Sequence, residues 1–131
     1  MRTYTLRLEN GEDLKSFLDD FIKYKNIKAA CMLTCVGSLQ KAAIRFANHT
    51  ATKIISGKFE IVSLVGTLSV YGSHLHIAIA DENGAMTGGH LKEGSEIFTT
   101  AEIVIGSLND VEFLRIDDEV TGYKELLIKA L

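Results

Sequence analysis

The sequence predicts an α+β fold in which a single helix is combined with many strands. Only one segment repeats apolar residues with the period of a helix, whereas nearly everything after Lys28 alternates or clusters them as strands do. A helix segregated from a run of strands is typical of the α+β class. At 131 residues the chain is most simply one domain over 1–131, long enough to bury a core without a disulfide or a metal.

The predicted helix follows an N-terminal strand. Residues 2–9 alternate polar and apolar side chains, which predicts the strand. The next apolar residues recur at i, i+3, i+4, i+7 and i+8 and so predict a helix with one apolar stripe: Leu14, Phe17, Leu18, Phe21 and Ile22. Asn10 or Gly11 is expected to cap this helix.

Seven further strands are predicted, and two of them, 58–70 and 97–108, are apolar on both faces. Their ranges are near 29–37, 41–47, 58–70, 73–80, 97–108, 111–117 and 121–128, with turns that include Gly37–Ser38 and Ser56–Gly57. In 58–70, one predicted face carries Phe59, Ile61 and Val65, and the other carries Val62, Leu64, Leu68 and Val70. One helix cannot cover both faces of such strands, so we expect an oligomer.

Composition and charge argue against several classes of partner. A hydrophobic fraction of 47% with 24% charged residues is typical of a compact protein. The net charge of −3, without any basic run, gives no electrostatic reason to expect nucleic acid or an anionic membrane. No apolar stretch resembles a signal peptide or a membrane span, so we expect a cytoplasmic location, with Cys31 and Cys35 as free thiols.

Three of the four histidines fall within residues 74–90. On a strand, His74 and His76 point to the same face roughly 6–7 Å apart, which suits two ligands of one metal. His90 follows a turn and two glycines, so the chain could double back to supply a third ligand. We therefore expect the three side chains to converge at a solvent-accessible pocket, as in an open zinc site. Alternatively, these histidines hydrogen-bond buried carbonyls or line a subunit interface.

Two carboxylates and two glycines complete the candidate site. Glu102 and Glu60 lie in apolar strands, where a carboxylate needs a charged or hydrogen-bonded partner. Each is either a general acid–base or metal ligand, or one half of a structural ion pair between strands or subunits, which we favour. Gly88 and Gly89 are expected to allow a close backbone path rather than to bind phosphate, because no helix signal follows them.

The segment GKFEIVSLVGTLSVYGSHLHIAIADENGAMTGGHLKEGSEIFTTAEIVI, residues 57–105, resembles the plant-and-prokaryote-conserved (PPC) domain, which occurs with AT-hooks in plant nuclear proteins. The most specific parts are HLHIAIAD, GGHL and TTAEIVI, and the similarity extends over nearly the whole chain. It implies a largely antiparallel sheet packed with one main helix and assembled as a homotrimer. His74, His76 and His90 match the family's histidine-containing motif.

Two hypotheses of function follow. The resemblance implies a stand-alone, non-enzymatic member that self-associates and binds an unknown protein or small molecule. Plant relatives bind DNA chiefly through an AT-hook with an Arg-Gly-Arg-Pro core; because this chain has no proline, we expect no intrinsic DNA binding, although DNA binding could be assigned to it by homology. The second hypothesis is a metal-dependent enzyme with zinc on the three histidines and Glu102 or Glu60 as acid–base.

Overall fold

The computed structural model describes residues 1–131 and contains one helix and eight strands. They are β1 (Arg2–Glu9), α1 (Leu14–Tyr24), β2 (Ala30–Arg45), β3 (Lys53–Ser69), β4 (Gly72–Ala80), β5 (Met86–Leu91), β6 (Ile97–Ser107), β7 (Val111–Asp117) and β8 (Lys124–Ala130). Six strands form one sheet in the order β1-β6-β2-β3-β4-β5, and β7 and β8 form a separate hairpin. All pairings are antiparallel. The predicted α+β class, with a largely antiparallel sheet and one helix, is confirmed.

The long strand β2 closes part of the sheet on itself. It pairs with β6 and β3 along most of its length, and at its end it also pairs with β5, through Ile44 opposite Leu91 and Arg45 opposite His90. Irregular register between Leu39 and Lys41 marks a bulge, which bends and twists a strand locally. The closure brings β5 against both β4 and β2, and this position matters for the candidate site.

Two of the predicted turns lie inside strands. Gly37–Ser38 is part of β2, and Ser56–Gly57 is part of β3. Gly37 serves close approach between strands, because a Cβ there would lie 2.7 Å from the Cα of Ala101 on β6. The sequence does not predict strand β5, because Met-Thr-Gly-Gly-His-Leu lacks the apolar alternation of a strand.

The helix covers one side of the sheet. Its fully buried residues are Leu14, Leu18 and Ile22, which belong to the same core cluster as the inward side chains of the strands. The N-cap is Asp13 and not Asn10 or Gly11. Its carboxylate accepts hydrogen bonds from the backbone N–H of Ser16 at 2.9 Å and of Gly94 at 2.6 Å, so the cap also fastens the helix to the segment before β6.

The predicted face assignment in 58–70 is wrong. Phe59, Ile61, Leu64 and Leu68 are all buried in the core, whereas Val62 and Val65 are 51% and 55% exposed. The register of β3 against β4 shifts between Ile61 and Ser63, and a bulge of this kind moves the following side chains to the other face.

Both cysteines are free, as expected. Burial raises the pKa of the Cys35 thiol to about 11, which keeps it protonated and unreactive at neutral pH. The single helix, of 11 residues, is too short to span a membrane.

Candidate metal centre

Strands β4 and β5 bring His74, His76 and His90 together. On β4, His74 and His76 alternate with the buried side chains of Leu75 and Ile77, so both imidazoles project from the outer face of the sheet. His90 lies on β5 directly opposite His76. The cluster therefore results from the alternation of side chains along β4 and from the pairing of His76 with His90.

The three imidazoles are close enough to bind one ion. The ring centroids of His74 and His76 are 4.9 Å apart, those of His76 and His90 4.5 Å, and those of His74 and His90 5.3 Å. One ring nitrogen from each residue lies within 4.8 Å of those of the other two. Tetrahedral zinc with Zn–N bonds of about 2.0–2.1 Å needs ligand nitrogens roughly 3.3 Å apart. Small rotations of the side chains can bring the three nitrogens from their present separations to that distance.

None of the three imidazoles hydrogen-bonds to another group of the chain. The side-chain hydrogen bonds nearby run instead between Arg115 and Thr67 and between Arg45 and the backbone oxygen of His49. Within one chain, the three histidines therefore do not hydrogen-bond to buried carbonyls, which was the alternative role considered for them. Free ring nitrogens on neutral imidazoles are what a borderline metal such as zinc requires.

The surroundings lower the pKa values of His74 and His90. Burial, followed by the charges of Arg45 and the two other histidines, lowers the pKa of His90 from 6.5 to about 4. Burial also lowers the pKa of His74, with further contributions from His76 and Arg115. Both effects disfavour a proton and leave the ring nitrogens able to coordinate a cation at neutral pH.

A cleft of about 620 Å³ opens beside His74 and His90. Strands β2, β4 and β5 form part of its wall, and the β7–β8 hairpin supplies Arg115, Lys124 and Glu125. A smaller cleft is lined by His74 and His76 together with Val65, Gly66 and Thr67. The cluster is therefore open to solvent, and a three-histidine metal site here would keep a coordination position free for a ligand.

Glu102 and Glu60 lie outside this cluster. Glu102 is exposed in the middle of β6, opposite Arg7 on β1, and Glu60 is exposed on β3, opposite Ala80. Neither forms an ion pair within the chain. The only carboxylate in the wall of the larger cleft is Glu125, which the sequence patterns did not single out.

Gly88 and Gly89 lie where β5 passes its neighbours closely. A Cβ on Gly88 would overlap the backbone oxygen of Ile77 on β4, and one on Gly89 would lie 2.6 Å from the backbone oxygen of Arg45 on β2. The two glycines hold β5 between these strands and so set the position of His90.

Two other residues near the cluster have structural roles. The carboxylate of Asp81 accepts hydrogen bonds from the backbone N–H of Asn83 and Ala85, which fixes the turn between β4 and β5. The Ser73 hydroxyl donates to Asp19 on α1, so it is not paired with a histidine.

Residues 1–109 match the Plants and Prokaryotes Conserved (PCC) domain, the family that the sequence motifs resemble. The chain belongs to this family. The β7–β8 hairpin lies beyond the matched segment.

Relatives of this PCC-domain chain occur in different protein contexts. It is 43% identical over its whole length to part of the bifunctional protein GlmU of a Synechococcus strain, and it spans 21% of that protein. It is also 24% identical to the AT-hook motif nuclear-localized protein 8 of Arabidopsis thaliana, over 79% of this chain and 29% of that protein. The chain thus spans a fifth to less than a third of the curated relatives it matches.

Solved structures show the same fold over nearly the full chain. A hypothetical protein from Salmonella cholerae-suis superposes with a TM-score of 0.96 at 42% identity, covering 98% of this chain and 94% of that one. A metal-containing protein from Archaeoglobus fulgidus superposes with a TM-score of 0.85 at 28% identity, covering 97% and 94%.

Proposed function

We propose that this PCC-domain chain is a non-enzymatic, homotrimeric binding module whose ligand site is built around a zinc ion held by His74, His76 and His90. The observation that carries the proposal is the convergence of three imidazoles without hydrogen-bond partners beside an open cleft. The metal content of the Archaeoglobus fulgidus structure supports it. Zinc suits an all-imidazole set and, with three protein ligands, would act as a Lewis acid toward a fourth.

Exposed apolar residues support self-association. An outer apolar patch on β2 and β3, comprising Leu33, Val36, Val62 and Val65, is 46–55% exposed in the single chain. Contiguous apolar surface of this kind marks an interaction site. Val65 lies opposite His76 in the β3–β4 register, so the patch reaches the proposed metal centre. We assign this patch to contacts between copies, where Glu60 and Glu102 could find the charged partners that a single chain does not provide.

The metal content of protein purified without an affinity tag tests the proposal. Elemental analysis should find about one zinc per chain, and His76→Ala should lose the metal because it removes the central imidazole of the cluster. His49→Ala is the matched control, since His49 lies in an exposed loop against Phe46. Protein without bound zinc that also fails to take it up on addition would refute the metal centre, as would full occupancy in His76→Ala.

A metal-dependent enzyme is the second candidate function. Three histidine ligands leave a position for water, and a bound zinc lowers the pKa of that water toward neutrality. Glu102 and Glu60 do not line the cleft, so the acid–base role falls to Glu125. Hydrolysis of a small ester by the zinc-loaded protein, lost in Glu125→Gln with zinc retained, would favour the enzyme over the binding module.

We also propose a cytoplasmic location, because two unpaired cysteines fit a reducing compartment.

A further inference from the structure

The cleft beside the histidines concentrates positive charge in a chain that is acidic overall. Its wall contains five basic side chains: Lys15, Arg45, Lys92, Arg115 and Lys124. Only one carboxylate, that of Glu125, lies among them, although the chain carries a net charge of −3. Like charges gathered in this way repel one another unless an anion joins them.

Three of the five cations have no carboxylate partner. Lys15 is paired with Asp19 at 2.6 Å, and Lys124 is paired with Asp117 at 3.2 Å. Arg45, Lys92 and Arg115 form no ion pair in the chain. Their charge is therefore available to a ligand.

Both arginines are held in place with donors to spare. The Arg45 guanidinium lies 5.5 Å from the ring centroid of Tyr123 and donates one hydrogen bond to the backbone oxygen of His49 at 3.0 Å. Arg115 donates from Nη2 to the Thr67 hydroxyl at 2.9 Å, while its buried Nε–H has no partner. A fixed guanidinium with unused N–H groups is suited to charge-assisted hydrogen bonds with an oxyanion.

We infer that this cleft binds the phosphate group of a small organic molecule through Arg45, Lys92 and Arg115. Three unpaired cations match the double negative charge of a phosphate monoester better than the single charge of a carboxylate. The volume of about 620 Å³ is that of a small-molecule site. Arg45, Lys92 and Tyr123 also line an adjoining cleft with Thr50 and Thr52, whose hydroxyls extend the polar wall.

The inference deepens the proposed function and rests on it, because His74 and His90 line the same cleft and would place the metal beside the bound anion. Part of the wall comes from the C-terminal region of the chain. Arg115 and Tyr123 belong to the segment after residue 109, beyond the part that matches the PCC family.

Calorimetric titration with phenyl phosphate tests the inference, with phenol and benzoate as matched ligands that lack the phosphate. Zinc-loaded protein should bind phenyl phosphate at least tenfold more tightly than benzoate and should not bind phenol. Lys92→Gln and Arg115→Gln should each weaken binding about tenfold, because each removes one charge-assisted contact. Lys58→Gln is the control of equal charge change, since Lys58 lies over Phe98, outside the cleft.

The zinc content of each variant separates the two proposals. If Lys92→Gln and Arg115→Gln retain zinc and bind phenyl phosphate as tightly as the parent protein does, the phosphate site is refuted and the metal centre is not. Zinc-free protein that still binds phenyl phosphate with the same variant pattern would support the phosphate site while removing the metal. If Arg115→Gln fails to fold, Lys92→Gln decides. A short DNA duplex should not displace phenyl phosphate. If it does, and if Lys92→Gln and Arg115→Gln abolish this displacement, the ligand of the cleft is nucleic acid and not a small molecule.

Discussion

At the scale of single residues, the candidate site is partly readable from the sequence. His74 and His76 share a face because side chains alternate along any strand, so their proximity follows from spacing alone. Arg45, Lys92 and Arg115 could not be placed with them, because they meet only through the β2–β5 pairing and the packing of the β7–β8 hairpin. The sequence carries no local signal of either contact.

The lowered pKa values of His74 and His90 predict acid sensitivity in the zinc-free protein. The folded state holds His90 at a pKa of about 4, whereas the unfolded chain titrates near 6.5. The unfolded chain therefore binds more protons between these values, and the free energy of unfolding should fall as the pH drops through 6.5 toward 4. Because His74 is shifted in the same direction, the two effects add.

Urea unfolding of chelator-treated protein at pH 7 and pH 5 measures this effect. His90→Gln should reduce the difference between the two stabilities, since the glutamine does not titrate, and His49→Gln should leave it unchanged. Equal stability at both pH values in the parent protein would contradict the prediction. With zinc present the loss should be steeper, because protons then also displace the metal.

At the scale of elements, the sequence predicts strands that alternate clearly and misses those shaped by neighbours. The alternation predicts a strand over 73–80, and β4 spans Gly72–Ala80. The sequence does not predict β5, because two of its six residues are glycines and add nothing to a hydrophobic pattern. Glycine is required at both positions since the backbones of β4 and β2 leave no room for a Cβ. In β3, one bulge was enough to reverse the predicted faces of Leu64 and Val65.

Gly88→Ala should therefore damage both the sheet and the proposed metal centre. The added methyl group would overlap the backbone oxygen of Ile77, so β5 must move away from β4 and carry His90 with it. We expect the free energy of unfolding to fall by about 1–3 kcal/mol, the usual cost of overpacking, together with weaker zinc binding. Chemical denaturation and zinc titration measure the two effects.

Met86→Ala is the control on the same strand, because Met86 is 60% exposed and its loss should change little. If Gly88→Ala has the stability and the zinc affinity of the parent protein, then β5 accommodates the methyl group and close packing does not position His90.

At the scale of the whole molecule, the outer apolar patch predicts assembly. Light scattering coupled to size exclusion should give about three times the chain mass of 14.4 kDa at micromolar protein. Val62→Lys should dissociate the assembly, since it would place a charge in the centre of the buried contact. Val120→Lys is the control, because Val120 is 95% exposed and lies outside the patch. A monomeric parent protein would refute the trimer and leave Val62 and Val65 exposed without a role.

The whole-molecule charge also predicts that the chain has no DNA affinity of its own, despite its similarity to an AT-hook protein. A net charge of −3 offers little counterion release, and a chain without proline cannot form the Arg-Gly-Arg-Pro hook. The cleft that holds Arg45, Lys92 and Arg115 has a volume of about 620 Å³, which suits a small molecule and not a duplex. Fluorescence anisotropy with an A·T-rich duplex at physiological salt should show no binding tighter than roughly 10⁻⁵ M, the non-specific range. Submicromolar binding with a steep salt dependence would contradict this and would mean that assembly creates a basic surface absent from the single chain.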